Sequence, residues 1–434
     1  MEYRSLNKLT AFFVGSLFIL TNAFAASEDI AASKKTEAPG LVNLSSLLQD
    51  AGQKNPGILA KKKEYESKKG MVIDTWLLED PEFGVDVEGQ PDLFAFDRRM
   101  NSEFMAVQTV PFPTKLLFRG LAASKEAEAA YQAYREEERQ FIWRLKEPYY
   151  KLYFAKKTIE LLKENQQLLE QAEKTAQTLY ESGNAMQADV LKARIEISKI
   201  EIDLFNAKQE ERLQEARLSS LLSQPMSTHY ELNMPAERQE MSLSIEQLEE
   251  ISLRQRPELR MFVLESERAG FNQALAHHEW LPDITLRYEG RQYLGEGDIR
   301  EHDTFIGFSV PVWSLLKGVG GTWAAADAEA AAARERLAQA RNELLLDVQG
   351  AYLALKQAEH ALQAYESNIL PQAKQQVEVL LAAYEGGKTV FLNVIDAQRT
   401  LRDSQIEYYR ALTDYQIALA ELTACCGIDL LEKV

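Results

Sequence analysis

The chain has 434 residues, of which 66 are Asp or Glu and 49 are Lys or Arg, so its formal net charge at pH 7 is −17. A surface this acidic does not attract nucleic acid through a general basic field, so we expect no nucleic-acid partner. The only two cysteines, Cys425 and Cys426, are adjacent, which excludes a disulfide-stapled scaffold.

The N-terminus has the pattern of a secretory signal. Arg4 and Lys8 precede an uncharged apolar run from Leu9 to Leu20, and Ala23-Phe-Ala25 forms an A-x-A cleavage site. The run is shorter than the roughly 20 residues that a membrane-spanning helix needs, which favours a signal over an anchor. We therefore predict a signal peptide at residues 1–25 and an N-terminal extension at 26–43.

The rest of the chain is an internal duplication. Pro56 corresponds to Pro257 at a spacing of 201 residues, and Tyr180 corresponds to Tyr384 at a spacing of 204. A unit near 200 residues is too long for a solenoid repeat, so it represents two copies of one structural half. We assign a first repeat to 44–224, a linker to 225–244, a second repeat to 245–427 and a tail to 428–434.

Long helices dominate each repeat. Each is predicted to contain a helix, a β-hairpin (about 82–112 and 283–313) and a long helical hairpin (about 120–222 and 322–425). Apolar or small side chains recur in steps of three and four along the hairpins, as in Val348, Ala351, Leu355, Ala358 and Leu362. This heptad spacing indicates helices that coil around one another.

Four segments alternate apolar and polar residues with the period of a β-strand. They begin near Glu82, Glu103, Ile284 and Thr304, and each has one apolar and one polar side. A small sheet lying on the helices of a soluble protein is the open alternative. Because a membrane barrel needs about eight strands and cannot leave an edge in lipid, a membrane role requires several copies to share one barrel.

Several motifs resemble the TolC-type outer-membrane efflux family, most closely its heavy-metal-efflux branch. They are Arg256-Pro-Glu258, the Trp280-Leu-Pro-Asp-Ile-Thr-Leu286 segment, the stretch from Tyr384 to Arg399, and the ending from Tyr408 to Leu422 followed by Gly427. The likeness extends from about Leu44 to Gly427.

The resemblance implies a mainly α protein with a small β part. Three identical chains, with four strands each, would form one 12-stranded barrel in the outer membrane of a Gram-negative bacterium. Their helices would form a coiled-coil tunnel in the periplasm. The expected function is a gated exit duct in a tripartite efflux system. Its expected partners are outer-membrane lipid, a periplasmic adaptor of the membrane-fusion type and an inner-membrane pump, which the resemblance to that branch implies to be of the RND type.

The resemblance also implies a gate where the second helical hairpin turns inward. Asp396 matches an acidic position of the family, whereas Asn393 replaces a second acid, so one carboxylate ring and one amide ring are expected in the trimer. The two residues are three apart and share a helix face. On its pattern alone, Asp396 is equally consistent with a solvated surface acid or a partner of Arg399.

Adaptor contact is expected at the two hairpin turns, which contain Gly183 and Asn184 in the first repeat and Gly386, Gly387 and Lys388 in the second. The glycines also have a structural explanation, since a tight helix–helix turn needs a positive φ angle.

The sequence provides no constellation for catalysis, so we predict no catalytic residues, no cofactor and no metal site. His277 and His278 are consecutive and point about 100° apart on a helix, which disfavours chelation from one face. Two alternatives stay open: a soluble periplasmic scaffold or adaptor, and an outer-membrane component of type I protein secretion.

Overall fold

The computed structural model of the chain describes Leu47, Gly52 and residues 54–88, 101–183, 186–232, 243–293, 298–386 and 388–427. The predicted signal peptide, N-terminal extension and tail lie outside the described residues. Among the described residues, every helix is too short or too polar to span a lipid bilayer.

The described elements follow the order that the duplication predicts. The first half contains α1 (Pro56–Trp76), β1 (Glu82–Glu88), β2 (Asn101–Val110), α2 (Pro113–Glu181) and α3 (Gln187–Leu221). The second half contains α4 (Ile245–Gln255), α5 (Pro257–His278), β3 (Ile284–Tyr293), β4 (Glu301–Phe308), α6 (Val312–Lys317), α7 (Trp323–Ala364), α8 (Leu370–Glu385) and α9 (Phe391–Cys426). The mainly α fold with four strands is therefore confirmed, while the boundaries of the repeats stay a prediction.

The four strands form one antiparallel sheet in the order β1-β2-β3-β4. Its central pair joins the two repeats, because β2 pairs with β3 from Asn101 opposite Tyr293 to Val110 opposite Ile284. The sequence predicted two separate hairpins, and their side-by-side pairing was not visible from local patterns. Among the described residues, β1 and β4 have no outer neighbour and form the edges of the sheet.

The sheet has one charged face and one uncharged face. Directly opposed residues of antiparallel strands point to the same side, so the register assigns every strand residue to a face. One face carries all the charged residues of the strands, namely Glu82, Asp86, Glu88, Glu103, Glu289, Glu301, Asp303, Arg287 and Arg291. The other carries mainly apolar side chains, among them the exposed Phe83, Val85, Ile306 and Phe308.

The helices of the two hairpins are long and pack through their heptad positions. Helix α2 has 69 residues, which corresponds to roughly 100 Å at ~1.5 Å per residue. In the second half, Val348, Leu355 and Leu362 are buried at the predicted spacing. The first arm of the second hairpin is not one continuous helix, because a π-helical turn at Tyr365–Ile369 separates α7 from α8. Pro371 follows this turn and lacks the N–H that a regular helical ladder would use.

The Arg256-Pro-Glu258 motif connects helices rather than forming a ligand site. Arg256 ends α4 and precedes α5, and its guanidinium lies 2.6 Å from Glu258 and 3.6 Å from Asp347 of α7. Nearby, Cys426 is fully buried at the end of α9 and Cys425 is half-buried. Burial raises the pKa of Cys425 to about 11 and that of Cys426 to about 12, so both stay neutral thiols at physiological pH.

Candidate gate and docking turns

Helix α9 begins at the turn of the second hairpin, and apolar residues fix its rotation there. Phe391 and Ile395 are buried together with Leu169 and Ala176 of α2 and Val190 of α3. These residues of α9 and Val394 lie on the buried side of the helix, whereas Leu392, Asn393 and Asp396 lie on its more exposed side. Asn393 is consequently exposed, and the side chain of Asp396 is 49% exposed.

Within one chain, the two candidate gate residues bond to their own helix and to the preceding turn. Asp396 accepts a hydrogen bond from Arg399, three residues further along α9. The Asn393 amide donates to the Thr389 hydroxyl at 2.8 Å. The Arg399 partnership that the sequence left open therefore exists, and it leaves half of the Asp396 carboxylate accessible.

A buried carboxylate of the first hairpin lies near Arg399. Glu196 of α3 is only 2% exposed and lies 3.0 Å from the Lys199 ammonium and 3.8 Å from that of Lys192. Burial acts to raise the pKa of Glu196, but the Lys199 hydrogen bond and the charges of Arg399, Lys199 and Lys192 outweigh it, so the pKa is lowered. Arg399 thus interacts with acids of both hairpins.

Sequence reasoning missed Glu196. The one available signal was an acid directly beside Ile197 in the apolar seam of α3. A charge next to a coiled-coil seam often pairs with a neighbouring helix. The identity of that helix, α9, could not be inferred because it lies about 200 residues further along the chain.

The two hairpin turns also approach each other. The rings of Tyr384 and Phe391 are 5.5 Å apart across the second turn. Burial, followed by the negative charge of Asp189 on α3, raises the pKa of Tyr384. Asp189 itself accepts a hydrogen bond from the Met186 backbone N–H at 3.3 Å, at the start of α3. The end of α8 therefore lies close enough to the start of α3 for the charge of Asp189 to act on Tyr384.

The glycines of the turns differ in conformation. Gly183 has a φ of +78°, as a left-handed helix terminus requires. Gly386 has a φ of −80°, so the expectation that it needs a positive φ was wrong. With a ψ of 4°, Gly386 lies in a region of backbone angles that residues other than glycine also adopt. Asn184 and Gly387 lie outside the described residues.

Lys388 is exposed, and its backbone N–H donates to the Ala383 carbonyl at 2.8 Å. No carboxylate whose side chain is described forms an ion pair with its ammonium group. Its side chain lies at the exposed surface of the turn.

The adjacent histidines point to different helices. His277 stacks on Trp323 of α7 with ring centres 5.4 Å apart and lies 2.8 Å from the Asp327 carboxylate. His278 instead packs against Phe118 of α2 at 5.0 Å. The pair thus connects α5 to a helix on each side.

Comparisons with known proteins agree with this architecture. Residues 248–427 match the family model described as Outer membrane efflux protein. The chain is 23% identical over 412 residues to the cobalt-zinc-cadmium resistance protein CzcC of Cupriavidus metallidurans, covering 92% of this chain and 95% of that protein.

Solved outer-membrane channels have the same fold. The structure of CusC matches with a TM-score of 0.77 and 15% identity over 92% of this chain and 96% of CusC. VceC of Vibrio cholerae matches with a TM-score of 0.75 and 15% identity over 88% of this chain and 96% of VceC. These matches agree with the resemblance found in the sequence and confirm the fold that it implies. Over residues 248–427, the chain is thus similar to the outer membrane efflux protein family.

Proposed function

We propose that the protein is the gated exit duct of a tripartite efflux system, built from three copies of the chain. The observation that carries this proposal is the sheet, whose charged residues lie on one face while exposed apolar residues occupy the other. A sheet of this kind suits lipid on one side and water on the other.

The uncovered edges of the sheet support the assembly of several copies. A sheet edge in hydrocarbon leaves backbone N–H and C=O groups unpaired, at several kcal/mol for each group by order of magnitude. Closing β4 of one copy onto β1 of the next removes both edges. Three four-stranded sheets then make one barrel of twelve strands, which exceeds the minimum of about eight.

The charged face would line this barrel and favour positively charged cargo. It carries seven acidic side chains and two arginines. Acidic rings attract cations and repel anions in a narrow pore. The printed name of the CzcC relative refers to cobalt, zinc and cadmium resistance, and metal cations are the cargo that we infer for this chain.

The start of α9 would form the gate at the other end of the duct. In a trimer, three copies of Asp396 would face the axis, with a ring of Asn393 amides beside them. Arg399 bonds Asp396 and also lies near Glu196 of the first hairpin. Movement of α9 away from the first hairpin would separate Arg399 from Glu196, so this contact would favour the closed state.

Single-channel recording in planar bilayers tests the duct and its gate. Asp396→Ala should raise the conductance and weaken block by multivalent cations, while wild type should be cation-selective in a salt gradient. Asp203→Ala, which removes an exposed acid of α3, is the control and should change neither property. An Asp396→Ala channel with unchanged conductance and block would refute the gate, and an anion-selective wild-type channel would refute the cargo class.

The hairpin turns would dock onto the periplasmic adaptor, which in turn contacts the inner-membrane pump. Gly183 and Gly386 expose backbone at the two turns, and Asn184, Gly387 and Lys388 belong to the same segments. Lys388 supplies an exposed positive charge that an acidic adaptor surface can bind.

Charge reversal at the turn tests this docking role. Lys388→Glu should weaken capture of the chain by its adaptor in a pull-down without changing trimer formation. Lys374→Glu reverses an exposed charge of α8 away from the turn and is the matched control. Equal capture of the wild type and the Lys388→Glu variant would count against docking at this turn.

A further inference from the structure

The two repeats are covered to different extents, although they have the same elements. The inner flank of each repeat packs against the other repeat through α2, β2, β3 and α5. The outer flanks, made of α1 and β1 on one side and β4 and α6 on the other, are exposed over consecutive residues. The contact between the inner flanks, called the inner contact below, can therefore be compared with the equivalent positions on the exposed outer flanks.

An ion pair closes the inner contact at the junction of helices and sheet. The Lys115 ammonium lies 2.9 Å from the Asp283 carboxylate, and the Lys115 side chain is only 5% exposed. The same carboxylate oxygen accepts the Phe112 backbone N–H at 3.0 Å. The beginning of α2 in the first repeat is thus seated on the segment that precedes β3 in the second.

The duplication identifies the equivalent residues on the outer flanks. Val110-Pro111 corresponds to Val310-Pro311, so Leu315 of α6 stands where Lys115 stands in the first repeat. Pro81 corresponds to Pro282, so Glu82 occupies the position of Asp283.

These equivalents are exposed in the single chain. Leu315 is 41% exposed, and its neighbours Val312 and Leu316 are 52% and 56% exposed. On the opposite flank, Leu77 is 61% exposed, whereas its equivalent His278 is half-buried against Phe118. Positions that are covered in one repeat and carry exposed apolar residues in the other indicate a missing partner.

We propose that α6 of one copy packs against the segment Leu77–Glu82 of the next copy, so that the inner contact is repeated head to tail between copies. This inference rests on the trimer in the proposed function and assigns the residues that join its copies. The partner surface is a second copy of this chain, because the inner contact joins the segments that correspond to these two in the other repeat. A head-to-tail interface forms a closed ring when its rotation returns to the first copy.

The contact between copies differs in chemistry from the contact within a chain. Leu315 replaces the lysine while Glu82 keeps the acid, so the ion pair is missing and the apolar side chains of α6 and Leu77 take its place. Junctions within a chain would be ionic, and junctions between chains would be apolar.

Close contacts fix the position of the segment that follows α6. The Trp323 ring packs so closely on Gly318 that a Cβ atom there would lie 2.4 Å from it. The Trp323 indole donates to the Ala276 carbonyl of α5 at 3.1 Å. Gly321 adopts a φ of +140°, which fixes the kink between α6 and α7 and which other residues rarely adopt.

Placing a lysine at position 315, as at the equivalent position 115, tests the contact between copies. In the Leu315→Lys variant, the new amine should meet Glu82 of the neighbouring copy, and a zero-length carbodiimide should join the two positions covalently. Mixing isotope-labelled and unlabelled chains before assembly identifies the crosslinked peptide as one between copies by mass spectrometry. Adding Glu82→Gln should abolish this peptide. Leu117→Lys is the matched control, since Leu117 is 42% exposed at the start of α2, and it should give no crosslink to Glu82.

A disulfide crosslink tests the same contact without the introduced lysine. With Cys425 and Cys426 replaced by alanine, Leu77→Cys together with Leu316→Cys should give disulfide-linked chains under mild oxidation. A trimer in which both crosslinks are missing overturns the contact and leaves the proposed assembly standing. A chain that stays monomeric in its native mass overturns both. A trimer whose α6 is quenched by brominated lipid but makes no crosslink assigns this surface to the membrane and also overturns the contact.

Discussion

Glu196 shows how one buried acid can hold two helical hairpins together. Its carboxylate is almost completely removed from water, yet two lysines of its own helix and Arg399 of α9 keep it ionised. A buried acid without such partners would take up a proton instead. The charge of Arg399 adds an attraction between α3 and α9 to the ion pairs that Glu196 makes within its own helix.

The lowered pKa of Glu196 predicts a pH dependence of stability. A carboxylate whose pKa is lower in the folded state stabilises the fold above its unfolded pKa of about 4.3. This contribution is lost as the pH falls through the folded value. Wild type should therefore lose more thermal stability between about pH 5 and pH 3 than Glu196→Gln does, as measured by the circular-dichroism melting temperature.

Glu201→Gln provides the control for this comparison, because Glu201 is an exposed acid of the same helix. It should lose as much stability in acid as the wild type does. If Glu196→Gln and wild type have the same acid dependence, the link between the hairpins through Glu196 is wrong.

At the scale of residues, the sequence predicted the helix face of a side chain better than it predicted which residues that side chain contacts. The three-residue spacing of Asn393 and Asp396 was enough to put them on one face of α9, away from its buried seam. The expectation of a positive φ at Gly386 was wrong, because the sequence of a turn does not fix the backbone angles of each glycine in it. Glu196 was missed because its partner Arg399 comes from the other repeat.

At the scale of elements, Gly120 controls how α1 packs on α2 near the sheet. The Trp76 ring at the end of α1 lies directly over this glycine, and an added Cβ atom would be 2.3 Å from the ring. Gly120→Ala should therefore displace Trp76, lower the melting temperature and shift the tryptophan emission.

Gly350→Ala is the matched control, because Gly350 lies inside helix α7 with no atom within 4 Å of an added Cβ. Replacing a glycine in an open helical position should stabilise the protein by about 0.5–1 kcal/mol. The two variants share the gain in helix propensity, so the difference between them measures the Trp76 contact. Equal melting temperatures for the two variants would mean that Trp76 does not depend on Gly120.

The elements themselves were largely predictable because their periods are local. Two-residue alternation identified all four strands, although β2, β3 and β4 extend or shift by a few residues from the predicted limits. Seven-residue spacing identified the long helices, but the π-helical turn at Tyr365–Ile369 was not predicted. Pairing between β2 and β3 was also not predicted, since the two strands are about 180 residues apart and no local pattern connects them.

At the scale of the whole molecule, the duplication explains which contacts between repeats one chain forms and which equivalent surfaces it leaves exposed. Inside one chain, each repeat covers the inner flank of the other through the β2–β3 pairing and the Lys115–Asp283 ion pair. The same contact is unfinished at the outer flanks, where β1, β4 and α6 expose apolar side chains. A closed ring of identical copies is the arrangement that completes every repeat in the same way.

The native mass of the purified protein in lipid nanodiscs tests this account most directly, because the duct requires several copies to pool their strands. We predict a particle that contains three copies of the 49.2 kDa chain, with the predicted signal peptide removed from each. A particle with a single copy, at a concentration comparable to that in the cell envelope, would contradict the account.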